Sequence, residues 1–239
     1  MGVALANLGP AGDVDWMVDV RPGASTLLVA FAGIGPRDRP PTFSFLRAVG
    51  ELHASAVFVR DPHRAWYHHG VPGLGGSIDA VAARLRRLAD AANARRVITL
   101  GTSVGGYAAI LFGRLIDADL AIAFAPPTFL GASMRFRTRN GRYLREWLAL
   151  RRSRGFSRRH ADLRRVLGEH RSVPLPVHVH YAAGDRIDAA YARRLAGVPG
   201  VALRPHAGAG HDLVRRLRAN GELAGLLAEL APQPRRATS

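Results

Sequence analysis

Residues 95–116 read RRVITLGTSVGGYAAILFGRLI, and the junction in the middle of that stretch decides the fold. Val97 to Leu100 is a short apolar run suited to a strand, and from Val104 onward the residues are apolar and alanine-rich, suited to a helix. Between them lies Gly101-Thr102-Ser103-Val104-Gly105, which fits Gly-x-Ser-x-Gly. Five residues can meet by chance, so the context decides what they mean. Here a strand leads in and a helix leads out. A turn this sharp holds the serine at strained backbone angles, and a glycine two residues to either side relieves the crowding. The serine hydroxyl then stands out above the sheet, and the free N–H groups of the helix N-terminus face the same point.

Outward from this junction the chain alternates strands with helices. DVDWMVDV (13–20) alternates polar and apolar residues, as a half-exposed edge strand does, while STLLVAFAG (25–33) and ASAVFVRD (54–61) are continuous apolar runs suited to buried parallel strands. A helix is predicted over 77–93, with Ser77 as N-cap and Ile78, Val81, Leu85 and Leu88 on one face. ADLAIAFAP (118–126), LPVHVHYAAGD (175–185) and GVALRPHAG (200–208) read as further strands, 189–195 as a helix, and 212–230 as a last helix that Gly221 can break. The tail 231–239 reads as frayed. Alternation of this kind predicts an α/β fold, a mostly parallel central sheet with helices on both faces. The segment 127–174 interrupts it, with an amphipathic helix around Tyr143, Leu144, Trp147 and Leu148. It reads as a helical, arginine-rich cap insertion in a single domain spanning 1–239.

Charge is concentrated in that insertion. The chain of 239 residues has a net charge of +16, and all 34 basic residues are arginine. Thirteen of them lie between Arg135 and Arg171, against Glu146, Asp162 and Glu169. Such a segment can attract anionic substrates or a membrane surface, or can simply be a solvated face. It contains no recognisable nucleic-acid motif, so nucleic acid is not an expected partner. The absence of cysteine excludes disulfides, thiolate nucleophiles and cysteine-ligated zinc, without fixing a compartment. No apolar run is long enough for a transmembrane helix, and the N-terminal residues lack the pattern of a secretory leader, so a cytoplasmic protein is expected. Nothing in the sequence specifies an oligomer.

A serine hydroxyl needs a base to become a nucleophile. Of the ten histidines, His211 lies in the loop between the last strand and the last helix, where it can reach Ser103. The base needs an acid to hold its tautomer. Asp185, at the C-terminal end of strand 175–185, is the expected partner, with Asp188 the nearest alternative, and the order Ser, Asp, His is the one this strand–turn–helix design uses. Trp66 and Tyr67, in the loop after strand 54–61 beside His63, His68 and His69, are expected to line a substrate pocket; the same loop can equally be a turn packed by its own aromatics. His178 and His180 form a His-x-His pair on one strand, but lack a clear carboxylate partner, so core histidines rather than a metal site are expected.

With Ser103, Asp185 and His211 in this order, the chain resembles the α/β-hydrolase superfamily over about residues 25–126 and 175–230. The resemblance implies an oxyanion hole made by the N–H of Val104 and by a second N–H after the early strand. In Phe31-Ala32-Gly33, Gly33 is the chosen donor and Ala32 the alternative. More loosely, RDPHRAWYHHGVPGLG (60–75), followed by the Ser103 turn, is similar to uncharacterised bacterial hydrolases, some seen near polysaccharide genes. The activity implied is that of a serine hydrolase, a carboxylesterase acting through an acyl-enzyme, with no metal and no cofactor. Its substrate would be a small-molecule ester or acyl compound, anionic or glycan-linked. The alternatives are a thioesterase or acyltransferase taking a phosphorylated acyl carrier, and a non-catalytic glycan- or nucleic-acid-binding protein on the same fold.

Overall fold

The computed structural model describes residues 14–38, 40–169 and 173–228. The N-terminal stretch read as lacking a leader, the end of the last predicted helix and the tail lie outside these residues. Seven strands, β1 (Trp16–Asp19), β2 (Thr26–Phe31), β3 (Ser55–Val59), β4 (Arg96–Thr102), β5 (Leu120–Phe124), β6 (Val177–Ala182) and β7 (Val201–His206), form one sheet in the order β1-β3-β2-β4-β5-β6-β7. Only β1, at the edge, runs antiparallel.

Each central strand is buried on both sides, which is why the sequence shows apolar runs there instead of alternation. Side chains of β2 part to opposite faces. Leu27, Val29 and Phe31 join the core beneath α2 (Ile78–Ala91) and α3 (Val104–Leu115). Leu28 and Ala30 join the core beneath α1 (Leu46–Gly50), α8 (Leu213–Ala219) and α9 (Glu222–Ala228). The last predicted helix is thus two, parted at Gly221, whose φ of 76° no helix interior accepts. Ser77 caps α2 as expected, its Oγ accepting the Ala80 N–H at 3.2 Å.

Between β5 and β6 lie α4 (Ala132–Thr138), α5 (Leu144–Arg152) and α6 (Leu163–Gly168), with α7 (Arg186–Arg193) following β6. The segment packs on α3, whose residues from Val104 to Arg114 are all buried. Phe112 of α3 stacks on Phe31 at 5.1 Å, and Tyr107 donates its hydroxyl proton to the His160 carbonyl at 2.6 Å. Among the described residues no helix is long and apolar enough to cross a membrane.

The chain leaves β2 for β3 on one side and reaches β4 on the other. A cleft opens at such a reversal beyond the carboxyl ends of the strands. Phe31 pairs with Gly101 in register, so the residues after β2 and after β4 emerge side by side at this cleft.

Candidate active site

Ser103 occupies the turn between β4 and α3 with φ 54° and ψ −120°, a strained conformation for a residue with a side chain. Its own N–H is held by the Phe124 carbonyl of β5 at 2.7 Å. The two glycines of the motif have distinct steric reasons. A Cβ at Gly101 would overlap the Gly105 carbonyl, and one at Gly105 would overlap the Phe31 carbonyl. The helix can therefore start directly over the strand ends only with glycine at both places.

His211 leaves the loop after β7 and places Nε2 3.0 Å from Ser103 Oγ. Its Nδ1 lies 2.9 Å and 3.2 Å from the two carboxylate oxygens of Asp188. The expectation that Asp185 stands against His211 is corrected. Asp185 is the N-cap of α7, and its Oδ1 accepts the N–H groups of Ile187 and Asp188, both at 3.0 Å. Asp188 sits three residues further on, inside the first turn, buried and turned toward the histidine. An aspartate at the N-cap spends one carboxylate oxygen on the helix start, and Asp188 is the acid left to face His211.

Arg142, from the segment between β5 and β6, ties this corner together. Its guanidinium donates to Asp185 Oδ2 and to Asp188 Oδ1, each at 2.6 Å, and Nη1 lies 3.1 Å from His211 Nδ1. Burial pushes the Asp185 carboxyl up, but the two N–H donors and the Arg142 charge outweigh it and hold it below the usual carboxylate range. Nothing in the sequence pattern singled out Arg142 among the 13 arginines of its segment.

The two residues chosen as oxyanion donors both lie beside this turn. Val104 is the first residue of α3, so its N–H has no intrahelical acceptor. Gly33 approaches so closely that a Cβ on it would lie 3.3 Å from the Thr102 carbonyl and 4.0 Å from Ser103 Cβ. The alternative, Ala32, has its N–H bound to the Val59 carbonyl at 2.8 Å.

Trp66 and Tyr67 part ways. Both have left-handed φ values, 51° and 64°, in a loop gathered around the buried Asp61 carboxylate. That carboxylate accepts N–H groups from His63, Ala65 and Tyr67 at 3.0, 2.7 and 2.9 Å. Trp66 reaches a cavity of ≈ 30 Å³ that it lines with Ser103, His211, Asp188, Arg135 and Trp147. Its buried Nε1–H has no acceptor among the described residues. Tyr67 does not reach the cavity. Its hydroxyl bonds the Ala32 and Val59 carbonyls at 2.9 and 3.2 Å, which pins the peptide beside Gly33.

The neighbouring histidines join the loop to the segment above it. His68 Nε2 meets the Tyr107 hydroxyl at 3.0 Å and His68 Nδ1 accepts the Ser157 N–H at 3.0 Å. Since Tyr107 donates its proton to His160, His68 is neutral with its proton on Nε2. Burial, with the nearby histidines, lowers its pKa to about 3. His69 bonds Ser153 at 2.8 Å. On the far strands, His180 stacks on Phe124 at 4.8 Å and pairs with His206 at 3.0 Å. Among the described residues no group of three or more His, Cys, Asp or Glu side chains is placed to hold a metal.

No family model matches the chain, and no curated protein matches it. Solved structures do. The capsule O-acetyltransferase of Neisseria meningitidis serogroup A superposes with a TM-score of 0.65 at 14% identity, over 91% of this chain and 90% of that one. Carboxyl esterase 2 of the fungus Tuber melanosporum gives 0.60 at 17% identity, over 93% and 80%. An α/β serine hydrolase without a lid from Xanthomonas campestris gives 0.53 at 17% identity, over 96% of each chain. The fold is that of the α/β hydrolases. Identities this low carry the fold and leave the chemistry to the residues of this chain.

Proposed function

We propose that the chain is a serine-dependent acyl-ester hydrolase with Ser103, His211 and Asp188 as its catalytic residues. The observation that carries this reading is the continuous hydrogen-bond chain from Ser103 Oγ through His211 to the buried Asp188, on a strained turn that exposes the hydroxyl. Oγ attacks the acyl carbonyl while His211 Nε2 takes its proton. Asp188 holds the proton of Nδ1 and steadies the imidazolium. The N–H groups of Val104 and Gly33 bind the oxyanion, and donors of this kind contribute about 3–4 kcal/mol each to the transition state. The leaving alcohol takes the proton from His211, and water then cleaves the acyl-enzyme by the same path. Asp185 and Arg142 act as positioning residues that fix where Asp188 begins its helix turn. Trp66 binds substrate through its free indole N–H, and the segment 127–174 caps the site. No cofactor has a part in this scheme.

The small cavity favours a short acyl group, since ≈ 30 Å³ is room for only two or three water-sized atoms. A second reading keeps the same acyl-enzyme but gives it a thioester donor and an alcohol acceptor, such as a glycan hydroxyl. The arginine-rich groove that adjoins the Ser103 pocket favours it, and so does the likeness in fold to a capsule O-acetyltransferase. A non-catalytic binding protein would have no use for the strained serine.

A fluorophosphonate probe tests the reading. Labelling at Ser103, lost in Ser103→Ala and in His211→Ala, is the expected result. A folded protein that resists the probe would contradict it.

A further inference from the structure

Three concavities adjoin on one side of the molecule. The cavity at Ser103 shares Arg135, Asn140 and Trp147 with a surface groove of ≈ 640 Å³ that runs past Phe136. That groove shares Arg137 with a hollow of ≈ 300 Å³ walled by Arg137, Arg186 and Arg193. The three concavities thus share walls in sequence, from the proposed nucleophile to three arginines.

These walls have features that protein contacts leave unanswered. Arg135 is 8% exposed, its guanidinium lies 4.9 Å over the Trp147 ring and donates through Nη2 to the Arg142 carbonyl at 2.7 Å, and its buried Nε has no acceptor among the described residues. A buried guanidinium donor without a partner is costly unless a ligand oxygen completes it. Phe136 is 89% exposed on α4, between Arg135 and Arg137. A bare aromatic ring suits a planar ring laid on it. Arg137, Arg186 and Arg193 are exposed, and among the described residues none forms an ion pair. The acids at the start of α7, Asp185 and Asp188, are taken by Arg142. Among the described residues Arg137 donates only to Met134 Sδ, at 3.1 Å, and three guanidinium groups without a carboxylate around one hollow match phosphate groups in charge.

We propose that the Phe136 groove and the Arg137–Arg186–Arg193 hollow hold the nucleotide and phosphates of a thioester acyl donor, whose acyl end reaches Ser103 past Arg135 and Trp147. The proposal rests on the acyl-transfer reading of Ser103 and names its donor. Ser103 Oγ bonds the acyl carbon and gives its proton to His211. The carbon–sulfur bond breaks, and sulfur leaves as a thiol with that proton. An acceptor hydroxyl, of water or of an alcohol, then bonds the acyl carbon; its proton returns through His211 to Ser103 as the ester bond to Oγ breaks.

Acetyl-coenzyme A is the probe with phosphates and a nucleotide, and S-acetyl-N-acetylcysteamine is the same thioester without them. The parent is expected to use the first with kcat/KM at least about tenfold above the second. Arg137→Gln/Arg186→Gln/Arg193→Gln should remove that advantage through KM and leave the truncated thioester and the fluorophosphonate labelling unchanged. Phe136→Ser should weaken the advantage several-fold. Titration of free coenzyme A into Ser103→Ala reads docking without chemistry, and the triple change should weaken that Kd at least about tenfold. Equal use of both thioesters by the parent would overturn the proposal. Equal losses on both in the triple variant, or binding of anionic vesicles but not of coenzyme A, would do the same. If Ser103 is not the nucleophile, labelling and turnover both fail while coenzyme A still binds, so the two failures are told apart.

Discussion

At the scale of single residues, the site turns on a choice between two aspartates three positions apart. Asp188→Asn should lower kcat by about 10³–10⁴, because the amide cannot hold the Nδ1–H tautomer that His211 needs. Asp185→Asn should cost far less in kcat, since asparagine also caps a helix, and its effect should come through the loosened Arg142. Steady-state kinetics on a small ester compares the two, and a larger loss for Asp185→Asn would reverse the assignment. The sequence made Ser103 and His211 legible because topology dictates both, one at a strand–helix turn and one in the loop after the last strand. The acid was not legible to the same degree. Which aspartate is free depends on where α7 begins, and a shift of one residue in that start changes the answer. Trp66 gives a second test. Trp66→Phe keeps the ring and removes the unpartnered N–H, so KM should rise several-fold with melting temperature held or raised, because a buried donor without a partner is removed. An unchanged KM would mean that substrate does not use that donor.

At the scale of elements, the Ser103 turn is built by close approach of backbone to backbone. Gly105→Ala should abolish activity and lower stability by more than the helix propensity of alanine can return, since the added methyl meets the Phe31 carbonyl directly. The loop carrying Trp66 depends on His68, which joins it to α3 and to the segment before α6. An unfolded histidine titrates near 6.5, whereas His68 stays neutral down to about 3. Between these values the unfolded chain binds a proton that the folded chain does not. Stability is therefore full above about pH 6.5 and falls as the pH drops toward 3, by about 1.4 kcal/mol per pH unit for each such histidine. Urea midpoints at pH 4.5 and 7 should differ less in His68→Asn than in the parent; an equal difference would place the acid sensitivity elsewhere. The strands were readable because burial on both faces leaves continuous apolar runs. The helices between β5 and β6 were readable only at α5, where Tyr143, Leu144, Trp147 and Leu148 suggested an apolar face; the residues it buries are Trp147 and Leu150, and Leu144 stays exposed. With seven and six residues, α4 and α6 span too few turns for a period to appear.

At the scale of the whole molecule, two apolar cores on opposite faces of one sheet hold the carboxyl ends of β2 and β4 together, and the residues that follow them make the site. The arginine-rich segment lends Arg135, Arg142 and Trp147 to the lining of the site's cavity. Its charge was plain in the sequence, but charge alone could not say which arginine turns inward to Asp185 and Asp188 and which stay in water. The exposed ones should surround the entrance with a positive potential, screened over about 8 Å at physiological salt. Raising the salt should then lower kcat/KM for an anionic ester and hardly change it for a neutral ester of similar size. Equal salt dependence of the two would mean that the segment is a solvated face. The most direct measurement of the central claim is the intact mass of the protein quenched during turnover of p-nitrophenyl acetate, with the modified residue located by peptide mapping. The account predicts a single acetyl group on Ser103 that fails to form in Ser103→Ala and accumulates in the parent ahead of water attack. Turnover of the ester with no adduct at Ser103, or with an adduct on another residue, would contradict it.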